Sequence, residues 1–542
     1  MTHRLIARGC ILTVAAIGLL GGVPQGGSAP SAGVLEVHVR FLAADALRGR
    51  APGTEGYDAA AEYVASHFAL LNLEPAGDGG TYMQSVPLHI SRRDDEAASM
   101  SVHTAAGGST PVSPQDFVID AEPGQANSSV RAPVVVVGHG IAAPELGIDD
   151  YAGVDAEGKI VLTFVGAPNG LSADMKAHLG REETKAKTAA AHGAVGMLRV
   201  YPTIADQRDP FARMGRGGAG GSMTWRESDG RGHDVAPTLA AGAAVSQRTA
   251  MLLLEGSGRS LRDISNAAVA GLDASVELSV EVSISQTTTY DGFESPNVVG
   301  LLPGADPALR GEYVVITAHL DHVGVGRPDA TGDDIYNGAG DNASGTAVLL
   351  EVARALTANP PRRSVIFVAA TAEERGLVGS DYFVHNPPVP AGDIVANINL
   401  DSGVFLYDFV DIIPFGTAYS TLDDNVRRVA EALGLGVGED PLPEEALFTR
   451  SDHYRFVQQG IPSMFFMCGM TARDPGVDGL TELRGYVADH LHKPSDEIDL
   501  PWDWQGAARY ARFVAEVARD VADADDRPTW HEDSVFARPG RR

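Results

Sequence analysis

Five short motifs between residues 318 and 497 gather imidazoles and carboxylates: AHLDH, NGAGDNASG, TAEERG, NINLDS and LHKPSDE, in that order. Mixed His and Asp/Glu donors suit zinc and neighbouring divalent metals, and a carboxylate set between two ions bridges them through its two oxygens. One His or Asp after a strand is ordinarily a capping or hydrogen-bonded residue. Five such pieces in one chain point instead to a metal centre.

Such residues need a scaffold that brings them together. Each follows an apolar run of strand type: Tyr313 to Thr317 before His319, Val365 to Ala369 before Glu373 and Glu374, and Ile394 to Ile398 before Asp401. Short runs without polar alternation predict strands buried on both faces. Between them lies a helical pattern from Ser344 to Leu356, with Ser344 expected as its cap and Ala347, Leu350, Val352 and Leu356 as its apolar stripe. Strand, helix, strand implies a parallel sheet, and ligands of such sheets collect beyond the carboxyl ends of the strands. The fold class expected is α/β, a mostly parallel central sheet flanked by helices.

The five motifs together resemble the M28 family of dinuclear zinc peptidases, which includes bacterial aminopeptidases and glutamate carboxypeptidase. Carried over residue by residue, the resemblance implies the zinc-dependent exopeptidase fold and two Zn2+ ions, other divalent metals being possible. His319 and Asp401 would hold one ion, Glu374 and His492 the other, with Asp341 bridging. Glu373 becomes the general base toward a hydroxide shared by two ions about 3.5 to 4 Å apart. Asp321 would orient His319 by accepting its remaining N–H, and Asp496 would do the same for His492. His322 and His490 lie beside proposed ligands and are set aside on motif register. The resemblance also implies a cis bond between Asp341 and Asn342.

Two positions depart from the family pattern. Gly340 stands where many relatives carry a third acidic residue, and Leu491 stands where several have a tyrosine able to donate to an oxyanion. The segment FTRSDHY (448–454) resembles a motif near the substrate cleft, making Arg450, Ser451, Asp452 and His453 candidate substrate contacts, with Asp452 equally suited to cap a helix.

At 542 residues the chain exceeds one ordinary core and suggests about two to four domains. Asp and Glu outnumber Lys and Arg by 71 to 42, a formal charge of -29 that argues against nucleic acid and anionic membranes as partners. Arg4 and Arg8 precede an apolar stretch from Ile11 to Leu20, then small residues to about Gly33. This reads as a secretory signal peptide over residues 1–32 of an exported, periplasmic or secreted protein. The stretch is too short for a stable membrane anchor, and Cys10 precedes it, unlike a lipoprotein cysteine. Beyond it only Cys468 remains, so no internal disulfide is expected.

The catalytic domain is expected to be discontinuous, over 33–90 and 273–525, with a helix marked by Tyr57, Ala61, Val64, Phe68 and Leu71. Another helix carries Trp504, Ala508, Ala511, Val514, Ala518 and Val521, and 526–542 forms a tail. Between the halves, 91–272 turns to short strands and glycine turns. Its phrases GHGI, YAGV, GKIVL and HGAVGML resemble the β-rich protease-associated domain inserted in many of these peptidases. His139 and His192 within it are read as structural. The run from Gly215 to Ser222 is a loop, because it lacks the Lys-Ser or Lys-Thr of a phosphate loop. The sequon at Asn342 falls inside the proposed site and is coincidental.

The function expected is an exported metallo-exopeptidase acting on peptides, an aminopeptidase first and a glutamate carboxypeptidase-like enzyme second. A one-zinc glutaminyl cyclase and a non-catalytic receptor on the same fold are disfavoured by the complete ligand set.

Overall fold

The runs rich in Val, Ile, Leu and Phe form the middle of the molecule. A computed structural model describes residues 29–203, 211, 221–401 and 403–537. Residues 1–28 of the expected signal peptide and 215–220 of the glycine-rich stretch lie outside these. Among the described residues no helix is long and apolar enough to cross a membrane.

Two helices come first, Ala32–Leu42 (α1) and Glu55–Leu70 (α2), the latter capped by the Thr54 hydroxyl, which accepts from the Tyr57 amide. Strand Met83–Arg93 (β1) leads away, and the long strand Ser275–Leu302 (β2) returns. Then follow Tyr313–His319 (β3), helix Ser344–Thr357 (α3), Ser364–Ala370 (β4), Ile394–Leu400 (β5), Ser463–Cys468 (β6) and helix Trp504–Asp523 (α4). The hydrogen-bonded order is β1–β2–β4–β3–β5–β6. Strands β4, β3, β5 and β6 run parallel, and β1 and β2 run antiparallel to their neighbours. The carboxyl ends of the parallel strands therefore share one edge, with β3 between β4 and β5.

Both faces of this sheet are covered. On one, α1 to α4 bury Leu35, Val64, Phe68, Leu349, Val514 and Val521 against Ile316, Phe367 and Ile398. On the other, Phe383 and Phe456 pack on Val315, Ile366 and Val368. Burial on both sides is why these strands are mainly apolar; Asn397 and Asn399 of β5 are buried exceptions that hydrogen-bond to Thr317 of β3.

The β-rich segment forms a second sheet with its own core, centred on Val134, Val136, Leu162, Leu198, Val245, Val282 and Ile284. Strand β2 belongs to both sheets: residues 275–287 pair with Asn127–Val137, and residues 288–298 pair with β1. His139 and His192 are held locally, His139 beside the Phe164 carbonyl and His192 stacked on Tyr151.

One local expectation fails. Ser344 does not cap α3. The chain enters that helix from a wide helical turn, Ala339–Ala343, so no extended residue precedes it, and the Ser344 hydroxyl donates back to the Gly340 carbonyl at 2.8 Å.

Candidate functional site

The edge shared by β3, β4 and β5 carries the polar motifs. His319 is the last residue of β3, Asp401 follows β5 directly, and Glu373 and Glu374 lie just past β4. Asp341 comes from the wide turn before α3, across the cis Asp341–Asn342 bond. His492 follows helix Gly479–Asp489 and has φ of 54°, in the left-handed region. Buried Asn342 donates to the His319 and Leu400 carbonyls and so ties the turn to two strand ends. Its burial excludes glycosylation there.

The Nε2 atom of His319 lies 3.1 Å from Asp341 Oδ1 and 3.2 Å from Asp401 Oδ1. The Nε2 atom of His492 lies 3.0 Å from Asp341 Oδ2 and 3.1 Å from Glu374 Oε2. Asp341 thus turns one oxygen to each of two donor groups. Ligand bonds of about 2.0 Å in a tetrahedron set donor atoms about 3.3 Å apart, close to these separations. The ring orientation agrees: Nδ1 meets the Asp321 backbone carbonyl at 3.1 Å, so Nε2 is the atom that faces the two carboxylates. That arrangement calls for a cation, and the residues fit the pair of divalent ions that the sequence motifs imply.

Two supporting carboxylates do something other than expected. The Asp321 carboxylate accepts the backbone N–H of Glu373 at 3.1 Å and of Glu374 at 3.4 Å, while the His319 Nδ1 atom lies 3.1 Å from the Asp321 main-chain carbonyl and 4.0 Å from its carboxylate. Asp496 accepts from the Gly340 and Asp341 amides at 2.9 and 3.0 Å and from the Tyr486 hydroxyl at 2.9 Å, and does not meet His492. Each carboxylate braces a ligand-bearing turn through its amides, because those turns leave N–H groups without ladder partners. Burial pushes the Asp321 carboxyl up to about 7 despite the opposing pull of His319.

The adjacent glutamates differ electrostatically. Burial, together with repulsion from Asp401, Asp452 and Glu374, holds the Glu373 carboxyl well above the usual range, although His319 opposes it. Burial also raises Glu374, but hydrogen bonds from His322 and His492 bring it below its ordinary value. One is suited to exchanging a proton and the other to remaining an anion.

These groups open on a cleft of about 770 Å³. Leu377, Val404, Phe465, Met467, Leu483 and Leu491 give it an apolar wall. Arg450 and Ser451 line it, Arg450 already paired with Glu445 at 2.8 Å. Asp452 and His453 do not reach it. Asp452 is wholly buried at the start of helix His453–Gln458 without making a capping bond, and the His453 ring stacks on Phe465, its Nε2–H donating to the Phe448 carbonyl. Of this segment, Arg450 and Ser451 are the candidates that line the cleft.

Three residues at the site escaped sequence reasoning. His322, set aside by register, is buried with Nδ1 2.7 Å from Glu374 Oε1, and its donor atoms group with those of Asp341 and Glu374. His490 stays apart, bonded to the Ser495 carbonyl. Tyr486 lines the cleft and accounts for Gly340, since a Cβ there would lie 2.3 Å from the Tyr486 hydroxyl. Arg181, from the β-rich segment, also lines the cleft; it donates to the Thr449 carbonyl and lies over the Tyr454 ring. Tyr486 could have been sought three residues beyond Leu483, on one helix face; Arg181 left no local signal.

Residues 297–518 match the profile of Peptidase family M28. The chain is 28% identical over 212 residues to Aminopeptidase YwaD of Bacillus subtilis, spanning 38% of this chain and 40% of that protein. It is 33% identical over 196 residues to an aminopeptidase of Pseudomonas aeruginosa, spanning 35% of this chain and 33% of the relative. The matched region thus spans less than half the length of these curated relatives. Among solved structures, an aminopeptidase from Aneurinibacillus sp. strain AM-1 aligns over 95% of this chain and 98% of its own, with TM-score 0.46 and 18% identity.

Proposed function

We propose that this chain, whose residues 297–518 match the profile of Peptidase family M28, is an exopeptidase that uses two metal ions, zinc first among them, to release N-terminal residues from peptides. The observation that carries this reading is Asp341, with one oxygen toward His319 and Asp401 and the other toward His492 and Glu374. Bound ions would supply Lewis acidity and lower the pKa of water at the site.

The chain's own residues do the rest. Glu373, raised in pKa and lining the cleft, takes the proton of the attacking water and returns it to the leaving amine. Asp321 holds the Glu373 and Glu374 amides, so both side chains start from one fixed backbone. The apolar wall receives the terminal side chain, excluding water around the scissile bond. Glu444, which lines the cleft, supplies negative charge that attracts a free α-ammonium.

A glutamate carboxypeptidase-like reading needs a cation to clasp a carboxylate; Arg450 is paired with Glu445, so that reading would rest on Arg484, which also lines the cleft. Residues 91–272 act in this reading as a protease-associated insert whose Arg181 completes the cleft wall. The N-terminal signal sequence sends the protein out of the cytoplasm.

The test is hydrolysis of aminoacyl, dipeptidyl and C-terminal glutamate reporters by the purified protein, with and without chelator. Turnover of the aminoacyl reporter alone, lost on chelation and regained with Zn2+, is the expected result. Chelator-insensitive turnover, or preference for the C-terminal reporter, would overturn the proposal.

A further inference from the structure

Glu374 has two oxygens and two imidazole neighbours. Oε2 lies 3.1 Å from His492 Nε2, on the side of the proposed second ion, and Oε1 lies 2.7 Å from His322 Nδ1. His322 is wholly buried, and its Nδ1 is 4.0 Å from Asp341 Oδ2. The ring has little freedom. A Cβ on Gly338 would sit 2.7 Å from its Cγ and Cδ2, and the His322 amide donates to the Arg50 carbonyl. Arg50 is itself buried, its guanidinium bonded to the Leu320, Asn337 and Gly338 carbonyls, which ties together the two chain segments that carry His322 and Gly338. The Nε2 atom of His322 has no hydrogen-bond partner, so Nδ1 is the atom through which the ring acts.

We infer that His322 is a positioning residue for the second metal site: Nδ1–H donates to Glu374 Oε1 and leaves Oε2 as that residue's single ligand atom. The inference rests on the two-ion reading above. A carboxylate free to turn can face the ion with either oxygen or both, and ordering it on binding weakens the site. A donor fixed by packing removes that freedom before the ion arrives. Hydrogen-bond partners of ligating groups typically contribute about 10- to 100-fold in metal affinity. The same bond keeps Glu374 from swinging toward Glu373, whose carboxyl must stay available for the proton.

The experiment is titration of the metal-stripped full chain with Zn2+, followed by calorimetry and by elemental counting after gel filtration, for wild type, His322→Ala and His322→Asn. Wild type is expected to take up two ions. His322→Ala should keep the first at wild-type affinity and bind the second 10- to 100-fold more weakly. The Asn amide nitrogen can reach the same oxygen as Nδ1, so His322→Asn should restore the second ion to within a few-fold. Two ions of wild-type affinity in His322→Ala would overturn the inference. So would His322→Asn binding as weakly as His322→Ala, which would make the ring itself the ligand or a packing element. A wild-type chain that takes up only one ion would instead overturn the two-ion reading beneath it.

Discussion

The two halves of the proposed metal centre share Asp341 and differ in almost everything else. His319 and Asp401 stand on the ends of adjacent parallel strands, His319 only 1% exposed. Glu374 and His492 come from loops, and the His492 side chain is 51% exposed. The first half is as rigid as the sheet beneath it. The second depends on amide braces, on a left-handed residue and on the buried His322 ring. An ion in the first half should exchange slowly and one in the second readily, so the halves should separate under chelation or mutation.

The largest effect should come from the residue that joins them. Asp341→Ala removes an oxygen from each half and should abolish both ion binding and turnover, read by elemental analysis and reporter hydrolysis. Next is Glu373→Ala, which should lower kcat by roughly 10²- to 10⁴-fold while both ions remain bound. Loss of metal in that variant would show that Glu373 is a ligand and not a base. His492→Ala should release one ion and keep the other, a drop in stoichiometry from two to one that the rigid half predicts; loss of both would erase the distinction.

Acidity should act on the exposed half in the same direction. Hydrogen bonds to Asp341 and Glu374 push the His492 imidazole up to about 10, so in the metal-free protein it is protonated below that pH. An ion needs the neutral ring, so its uptake must expel a proton, and its affinity should fall as pH drops from 10 toward neutrality. Calorimetry in buffers of different ionisation enthalpy should count about one proton released with the second ion. The smallest effect is expected from Tyr486→Phe, which removes one donor to Asp496 and should cost about 1 to 3 kcal/mol in thermal or denaturant unfolding. Ion affinities should change little, because the Gly340 and Asp341 amides still satisfy Asp496.

Much of this centre was legible in the chain. Strands β3, β4 and β5 announce themselves as largely apolar runs, and in a parallel sheet the residue after such a run has one place to go. Helix α4 and the helix containing Phe68 were readable from 3.6-residue periodicity. What stayed hidden depends on how loops fold back. Asp321 and Asp496 were read as partners of imidazoles, but each lies under a turn whose amides need an acceptor. Distance along the chain does not show which donor will be nearer. His322 and His492 are chemically alike, and only burial and the position of Glu374 give them different work. Asp452 and His453 look available in sequence and lie beneath the cleft because helix His453–Gln458 packs its start inward.

The central claim is that two ions bind on either side of Asp341. Anomalous scattering from crystals of the Zn2+-saturated protein, collected at the zinc edge, tests it directly. Two peaks about 3.5 to 4 Å apart are predicted, one between His319 and Asp401 and one between Glu374 and His492, with Asp341 touching both. A single peak, or a second one away from Glu374 and His492, would contradict it.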